Sequence, residues 1–281
     1  MASLPNIGRI GLIGDPVAHS LSPAFQQAAF DACGIPVRYE LLHTPPDELD
    51  ERVRQLRGGE FSGANVTVPH KEFFFDAVDE RSAVAERAGA VNTIICDSGR
   101  LYGENTDVFG FAESLRAIDF PFDTSSAIIL GAGGAARGVV VALLESDIGR
   151  VIVANRTPSR AERLASDVDD PRISTCGIDE AVEIAAKARL LINATSIGWN
   201  DEQLPVDPVI FSSMDASALA YDLTYRKTNF LQQAEQHGLK TMDGLAMLVY
   251  QGARSFELWT TAAAPVQIML DAATAARRSR G

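Results

Sequence analysis

Ser126-Ala-Ile-Ile-Leu-Gly-Ala-Gly-Gly-Ala-Ala136 decides the architecture. Residues 127–130 are apolar throughout, as a strand covered on both faces must be, and they run straight into Gly131, Gly133 and Gly134. Residues 135–145 then carry helical periodicity. A buried strand, a glycine turn and a helix in direct succession form the G-x-G-x-x-A arrangement that receives a dinucleotide. Gly131 permits the tight turn, Gly133 admits backbone close to a pyrophosphate, and Ala136 is small enough for the helix to pack on the strand. Ala132, Gly134 and Ala135 complete the expected cradle, where the free N–H groups of the helix start face the phosphates.

Downstream, strands at 151–154, 190–194 and 219–223 alternate with a helix at 159–167, which outlines a Rossmann-type domain. The end of its second strand lies beside the adenosine ribose and so selects the nicotinamide cofactor. It reads Asn155-Arg156-Thr157, with no acid to pair a 2'-hydroxyl and repel a 2'-phosphate. Arg156 offers a planar fork suited to two phosphate oxygens, Thr157 adds a hydroxyl donor, and Arg160 follows one turn into the next helix. NADP is therefore expected over NAD. Asn193-Ala-Thr195-Ser196 closes another strand at the same sheet edge, where polar groups would line the ribose or nicotinamide.

Upstream, strands at 7–13, 37–42, 64–68 and 91–96 alternate with helices at 23–33 and 46–57, giving a second α/β block with a mostly parallel sheet. Ala-rich helices at 245–260 and 265–276 close the sequence and are expected to return to this first block. A chain of 281 residues exceeds the size at which one core stops growing. The expected organisation is α/β with a substrate and catalytic domain of residues 1–106 plus 245–281 and an NADP-binding domain of residues 107–244. Helices 108–118 and 245–259 would connect them, with the active site in the cleft between the domains.

Three polar clusters in the first block exceed what turns need. Ser20-Leu-Ser22-Pro23 sets two hydroxyls on one side of an extended segment, able to donate to one carboxylate, while Ser22 also suits a helix cap with Pro23 at the first helical position. Asn65-Val-Thr67-Val-Pro-His70-Lys71 puts Asn65 and Thr67 on one strand face and Lys71 at a helix start, where the positive helix end disfavours a cation unless chemistry needs it. His70 reads as structural. Asn92 and Asp107 follow in Ala90-Val-Asn92-Thr93 and Asn105-Thr-Asp107, the latter placed to cap a helix.

Composition narrows the class. The net charge of -12 and the absence of a basic stripe argue against nucleic acid, and the basic run Arg277, Arg278, Arg280 suits the negative end of a helix. No apolar run reaches membrane-helix length, and the first residues lack a signal-peptide pattern, so a cytoplasmic protein without membrane partner is expected. The 3 cysteines are widely separated, read as buried thiols, and no metal is expected.

Taken in order, Ser20-Leu-Ser22-Pro, Asn65-Val-Thr67-Val-Pro-His-Lys71, Gly89-Ala-Val-Asn92-Thr, Asn105-Thr-Asp107, the Gly131 turn, Asn155-Arg-Thr, Asn193-Ala-Thr-Ser and Asp243-Gly244 with Gln251 resemble the shikimate dehydrogenase family over nearly the whole chain. The resemblance implies NADPH-dependent reduction of 3-dehydroshikimate to shikimate, on the route to chorismate and the aromatic amino acids, by a monomer or homodimer. It implies Lys71 and Asp107 as the catalytic pair, and Ser20, Ser22, Asn65, Thr67, Asn92, Tyr225 and Gln251 as the substrate shell. Gly244 and Met247 join the cofactor contacts. The chain departs from the family in having Gln26 where His is usual, Val108 where glycine is common, and a shortened run Arg226-Lys-Thr-Asn229 after Tyr225. A quinate or dual-specificity dehydrogenase is the nearest alternative, but Arg156 and Ser22 point away from it; a dinucleotide sensor without chemistry is the other.

Overall fold

Most of the apolar runs become strands, in the computed structural model that describes residues 8–199 and 202–280. In chain order the elements begin with β1 (Arg9–Gly14), α1 (Ser22–Ala32), β2 (Tyr39–His43), α2 (Leu49–Arg57), β3 (Phe61–Val66), α3 (Lys71–Ala77), β4 (Glu80–Arg81), α4 (Ala83–Ala88), β5 (Thr93–Asp97), β6 (Arg100–Glu104) and α5 (Thr106–Arg116). They continue with β7 (Ser126–Leu130), α6 (Gly134–Glu145), β8 (Arg150–Asn155), α7 (Pro158–Val168), β9 (Ile173–Gly177), α8 (Glu180–Ile184), β10 (Leu190–Asn193), α9 (Val209–Ser213), β11 (Leu219–Asp222), α10 (Asn229–Gln236), β12 (Lys240–Met242), α11 (Leu245–Thr260) and α12 (Val266–Arg278). Ile7, where the first strand was expected to open, lies outside the described residues.

The chain forms two compact units, Met1–Phe111 with Leu248–Gly281, and Ala112–Met247, so that the divisions fall inside α5 and α11. The first unit holds a six-stranded sheet in the order β2-β1-β3-β5-β6-β4. β1 runs parallel to β2 and β3, and β4 to β6, but β5 is antiparallel to both its neighbours. The sheet is thus mixed, because β5 and β6 form a hairpin that the parallel expectation omits. Ser98 and Gly99 at its tip both have positive φ, the backbone that matches a tight hairpin to strand twist. Phe61, Phe74, Leu56, Val91, Ile94 and Leu101 fill one core of this unit. On another side α1 packs along α12, and Phe30 meets Phe256 of α11 with ring centroids 5.1 Å apart.

The second unit carries six strands in the order β12-β11-β10-β7-β8-β9, every pair parallel. The chain starts at the centre, winds out to one edge, then returns to build the other half, which is the doubly wound topology. Strand order reverses between β7 and β10, so the switch point stands at the glycine turn. Ile128, Ile129 and Leu130 are fully buried, and α6 is apolar on most of its surface, with Val139 to Leu144 all buried. Burial of each such side chain stabilises by about 1.5–3 kcal/mol.

The cysteines are free and half-buried, less enclosed than the sequence implied; burial pushes the Cys96 thiol up to about 12, leaving it unreactive. Among the described residues no helix is long and apolar enough to cross a membrane, and no group of three or more metal-ligating side chains occurs.

Candidate active site

Lys71 opens α3 and Asp107 sits in the first turn of α5. Thirty-six residues apart, they meet: Lys71 Nζ donates to Asp107 Oδ2 at 2.5 Å, with side chains 29% and 21% exposed. The expectation that Asp107 caps a helix is overturned. Asn105 holds that position and its Oδ1 accepts from the Val108 N–H at 3.3 Å, which releases the Asp107 carboxylate to face Lys71. His70 is structural, as read: buried, with Nε2 against the Thr44 carbonyl at 2.7 Å.

Ser20 and Ser22 also correct the expectation. Leu21 between them is helical (φ -83, ψ -11), so the segment is a turn and not an extended strand, and Ser22 begins α1 without making a cap hydrogen bond. The Ser22 N–H instead donates to Ser20 Oγ at 3.1 Å, fixing the two hydroxyls relative to each other while the Ser20 proton stays uncommitted among the described residues. From the far end of the chain, Arg280 donates to the carbonyls of His19 at 2.7 Å and Ser20 at 3.0 Å. Arg280, just after α12, therefore does more than suit a helix dipole. Thr67 is half-buried just beyond β3, and its backbone N–H donates to the Ile13 carbonyl.

Asn65, Asn92 and Gln251 converge from β3, the turn before β5, and α11. The Asn92 amide donates to Gln251 Oε1 at 3.3 Å, and Asn65 donates to the Asn92 carbonyl at 3.2 Å. The turn at Val91 and Asn92 meets the segments that carry the charged pair: the Val91 N–H donates to the Lys71 carbonyl, and the N–H of Thr106, next to Asp107, donates to Asn92 Oδ1 at 2.7 Å. Four residues that sequence reading missed complete the cluster: Tyr39, Thr93, Thr106 and Ser255, all buried. Tyr39 donates to Asn65 Oδ1 at 2.8 Å, and burial drives its phenol far up, so it stays a neutral donor. Sequence gives them no distinct signal, because each stands beside a polar or charged residue, as Ser255 does between Arg254 and Phe256.

In the second unit the glycine turn has the expected form. Gly131 adopts φ +110, where a Cβ would press on Thr195 and the Ala194 carbonyl at 3.0–3.1 Å, and its N–H donates to Ala154 at the end of β8. Gly133 is the N-cap of α6, and a Cβ there would meet no protein atom within 4 Å. Gly133, Gly134 and Ala135 are exposed and Ala132 is half-buried. Arg156, Thr157 and Arg160 are exposed at the end of β8 and start of α7; neither arginine makes an ion pair among the described residues, and Thr157 spends no side-chain bond on capping. Asn155 turns back to the Thr157 carbonyl at 2.9 Å.

Asn193 is consumed internally: it donates to Asp222 Oδ2 at 3.1 Å and accepts from the Thr195 N–H and hydroxyl. Ser196, exposed, keeps its hydroxyl free among the described residues. Asp222 is fully buried and also takes the Thr228 hydroxyl at 2.7 Å. The shortened run after Tyr225 thus passes directly to Thr228, which caps α10 as well. Tyr225 is half-buried in this unit, Gly244 donates its N–H to the Thr224 carbonyl, and Met247 is half-buried in the first turn of α11.

Three family models match this chain: a shikimate dehydrogenase substrate binding domain at residues 12–94, shikimate / quinate 5-dehydrogenase at 114–199, and a shikimate 5'-dehydrogenase C-terminal domain at 244–274. A shikimate dehydrogenase (NADP(+)) of Symbiobacterium thermophilum is 40% identical over 96% of this chain and 95% of its own length. The chain belongs to the shikimate dehydrogenase family. The solved shikimate 5-dehydrogenase of Thermus thermophilus in complex with NADP(H) and shikimate is 40% identical, with a TM-score of 0.86 over 95% of this chain and 99% of that one. The shikimate dehydrogenase of Aquifex aeolicus, 32% identical, has a TM-score of 0.88 over 95% and 98%. Against the usual family pattern, Gln26 here is fully buried and its Nε2 donates to the Gly252 carbonyl at 2.9 Å, joining α1 to α11 beside Gln251.

Proposed function

We propose that this chain catalyses the reversible NADPH-dependent reduction of the 3-dehydroshikimate ketone to the shikimate hydroxyl, with Lys71 and Asp107 as its catalytic pair. The observation that carries the reading is the ion pair itself. A partly exposed pair adds only about 0–1 kcal/mol to stability, and Lys71 stands at a helix end that disfavours it, so folding does not explain the arrangement. NADPH, when bound, supplies the hydride. Lys71 supplies the other half of the chemistry: of its three N–H groups one is held by Asp107, and another is free to donate a proton to the oxygen that becomes negative as the ketone is reduced. In the reverse direction the amine takes the proton from the alcohol. Asp107 orients the amine and has a second carboxylate oxygen for a neighbouring ring hydroxyl.

Ser20 and Ser22 would hold the substrate carboxylate, with Thr67, Asn92, Gln251, Asn65 and Tyr225 completing the substrate shell. The cofactor fits the second unit: an open glycine at the α6 N-cap, N–H groups of the first helical turn, and two arginines without an ion-pair partner among the described residues where a 2'-phosphate would lie. Gly131, Ala132, Gly134, Ala135, Asn155, Thr157, Thr195, Ser196, Gly244 and Met247 would line its remaining length. The relatives' names support this reading and neither the quinate nor the sensor alternative. We place the enzyme in the cytoplasm, on the route to chorismate and the aromatic amino acids, as a monomer or homodimer acting on a small molecule without nucleic-acid or membrane partners.

Purified protein assayed with shikimate or quinate and with NADP or NAD, following nicotinamide absorbance, tests the proposal directly. Shikimate with NADP should give the highest kcat/KM of the four combinations; absence of shikimate turnover would defeat the proposal. Ser20→Ala and Ser22→Ala should each raise the shikimate KM about tenfold, the loss of one hydrogen bond to a charged group, while kcat changes little. A fall in kcat with constant KM would instead place these hydroxyls in the chemical step.

A further inference from the structure

Ser255 lies on α11 one turn after Gln251 and is fully buried. Its Oγ donates to the Gln251 carbonyl at 3.0 Å. A carbonyl can only accept, so the single hydroxyl proton of Ser255 is committed there, and toward everything else this oxygen is an acceptor. Two donors fill its two lone pairs, Asn65 Nδ2 at 2.9 Å and Thr93 Oγ1 at 2.8 Å, and Thr106 Oγ1 lies beside them at 3.2 Å. They come from three elements, and Ser255 is where they meet.

The same accounting fixes the three amides, because each is held by a backbone group of known polarity. The Thr106 N–H can only donate, so it faces Asn92 Oδ1. The Leu248 carbonyl can only accept, so Gln251 Nε2 faces it, at 2.7 Å. The Asn92 carbonyl likewise takes Asn65 Nδ2. The single Thr106 hydroxyl proton faces Asn92 Oδ1 at 3.1 Å, and Gln251 Oε1 takes the Asn92 amide at 3.3 Å. The amide oxygens of Asn92 and Gln251 are therefore both spent inside the protein. Each of these two residues keeps one N–H that meets no acceptor among the described residues.

We infer that Ser255 is a positioning residue for substrate recognition: as an acceptor it anchors Asn65, whose amide also holds the Asn92 carbonyl, so that Asn92 and Gln251 are held to offer N–H groups to a ligand. A cluster locked in that sense selects a ligand edge that presents oxygen acceptors, such as a ring ketone or hydroxyl oxygen, and disfavours one that presents only donors. The inference rests on the substrate assignment above. It adds a residue that touches no ligand itself and acts through Asn65.

Ser255→Ala removes the acceptor and little volume, and alanine is the better helix former, so the variant should fold. The shikimate KM is expected to rise about tenfold, the size of one hydrogen bond left without its acceptor, with kcat within about twofold. The NADP KM should not move. In an Asn65→Ala background the same replacement should change the shikimate KM by less than about twofold, because the donor that Ser255 anchors is gone. An unaltered KM in the single variant overturns the inference, as does a full tenfold rise that persists without Asn65. An unsubstituted protein that neither binds nor oxidises shikimate overturns the substrate assignment, and this inference with it.

Discussion

Lys71→Ala is expected to lower kcat about a thousandfold, the middle of the range for losing a general acid or base, while the NADP dissociation constant stays the same. The separation of effects follows from placement. Lys71 belongs to the first unit, whereas the glycine turn and Arg156 belong to the second, so cofactor binding has no reason to register the change. Nor should stability fall: the amine leaves a helix start that disfavours it, and Asp107 remains in the first turn of α5, where a carboxylate is favourable by itself. The melting temperature should stay within about 3 °C, the shift for roughly one kcal/mol in a chain of this size. Asp107→Asn retains the shape and an amide oxygen able to accept from Lys71 but loses the charge that orients the ammonium, and should lower kcat less than Lys71→Ala does. Single-turnover rates with saturating NADPH and 3-dehydroshikimate measure the step itself. Near-normal kcat in Lys71→Ala would remove this residue from the chemistry and leave a cofactor-binding fold whose proton donor lies elsewhere.

What could be seen from the residues alone, and what could not, divides by the distance over which the physics acts. The β7–turn–α6 passage was legible because an apolar run, three glycines and an apolar helix are consecutive, and their consequences are local. The β5–β6 hairpin was missed although Ser98-Gly99 marks its tip: β6 alternates buried and exposed positions over only five residues, too short to separate from a loop. Helices α3 and α4 span seven and six residues, shorter than the window of about 11 over which a helical period stands out. Caps failed for another reason. Ser22 and Asp107 each lie within two residues of the position that caps a helix, and so small a shift releases a side chain for other partners. The hydroxyl and amide cluster was the least legible part. Thr93 and Ser255 are 162 residues apart and Asn65 and Ser255 are 190, so only the packing of α11 onto the first unit brings them to hydrogen-bonding distance.

Arg156 carries the second large expectation, and it concerns the cofactor alone. Arg156→Ala should lower kcat/KM for NADP about 10- to 100-fold, the cost of losing a charge-assisted bond of roughly 1.5–3 kcal/mol, and leave the NAD value nearly unchanged. The two effects diverge because the guanidinium has an anion to meet in one cofactor and only a hydroxyl in the other. In this chain the arginine is exposed and makes no ion pair among the described residues, so its removal exposes no orphaned charge and should not disturb the fold. Arg160, one turn along α7, retains part of the attraction for a phosphate in that variant, which is why a full reversal is not expected from alanine. Arg156→Asp should reverse the preference: the carboxylate repels the 2'-phosphate and accepts from the 2'-hydroxyl that NAD presents. The shift should also weaken with salt for NADP, since an exposed cation is screened within about 8 Å at physiological ionic strength. Steady-state kcat/KM for both cofactors in both variants, at low and high salt, decides the matter. An unchanged NADP to NAD ratio in Arg156→Asp would show that the 2'-phosphate is read by other groups.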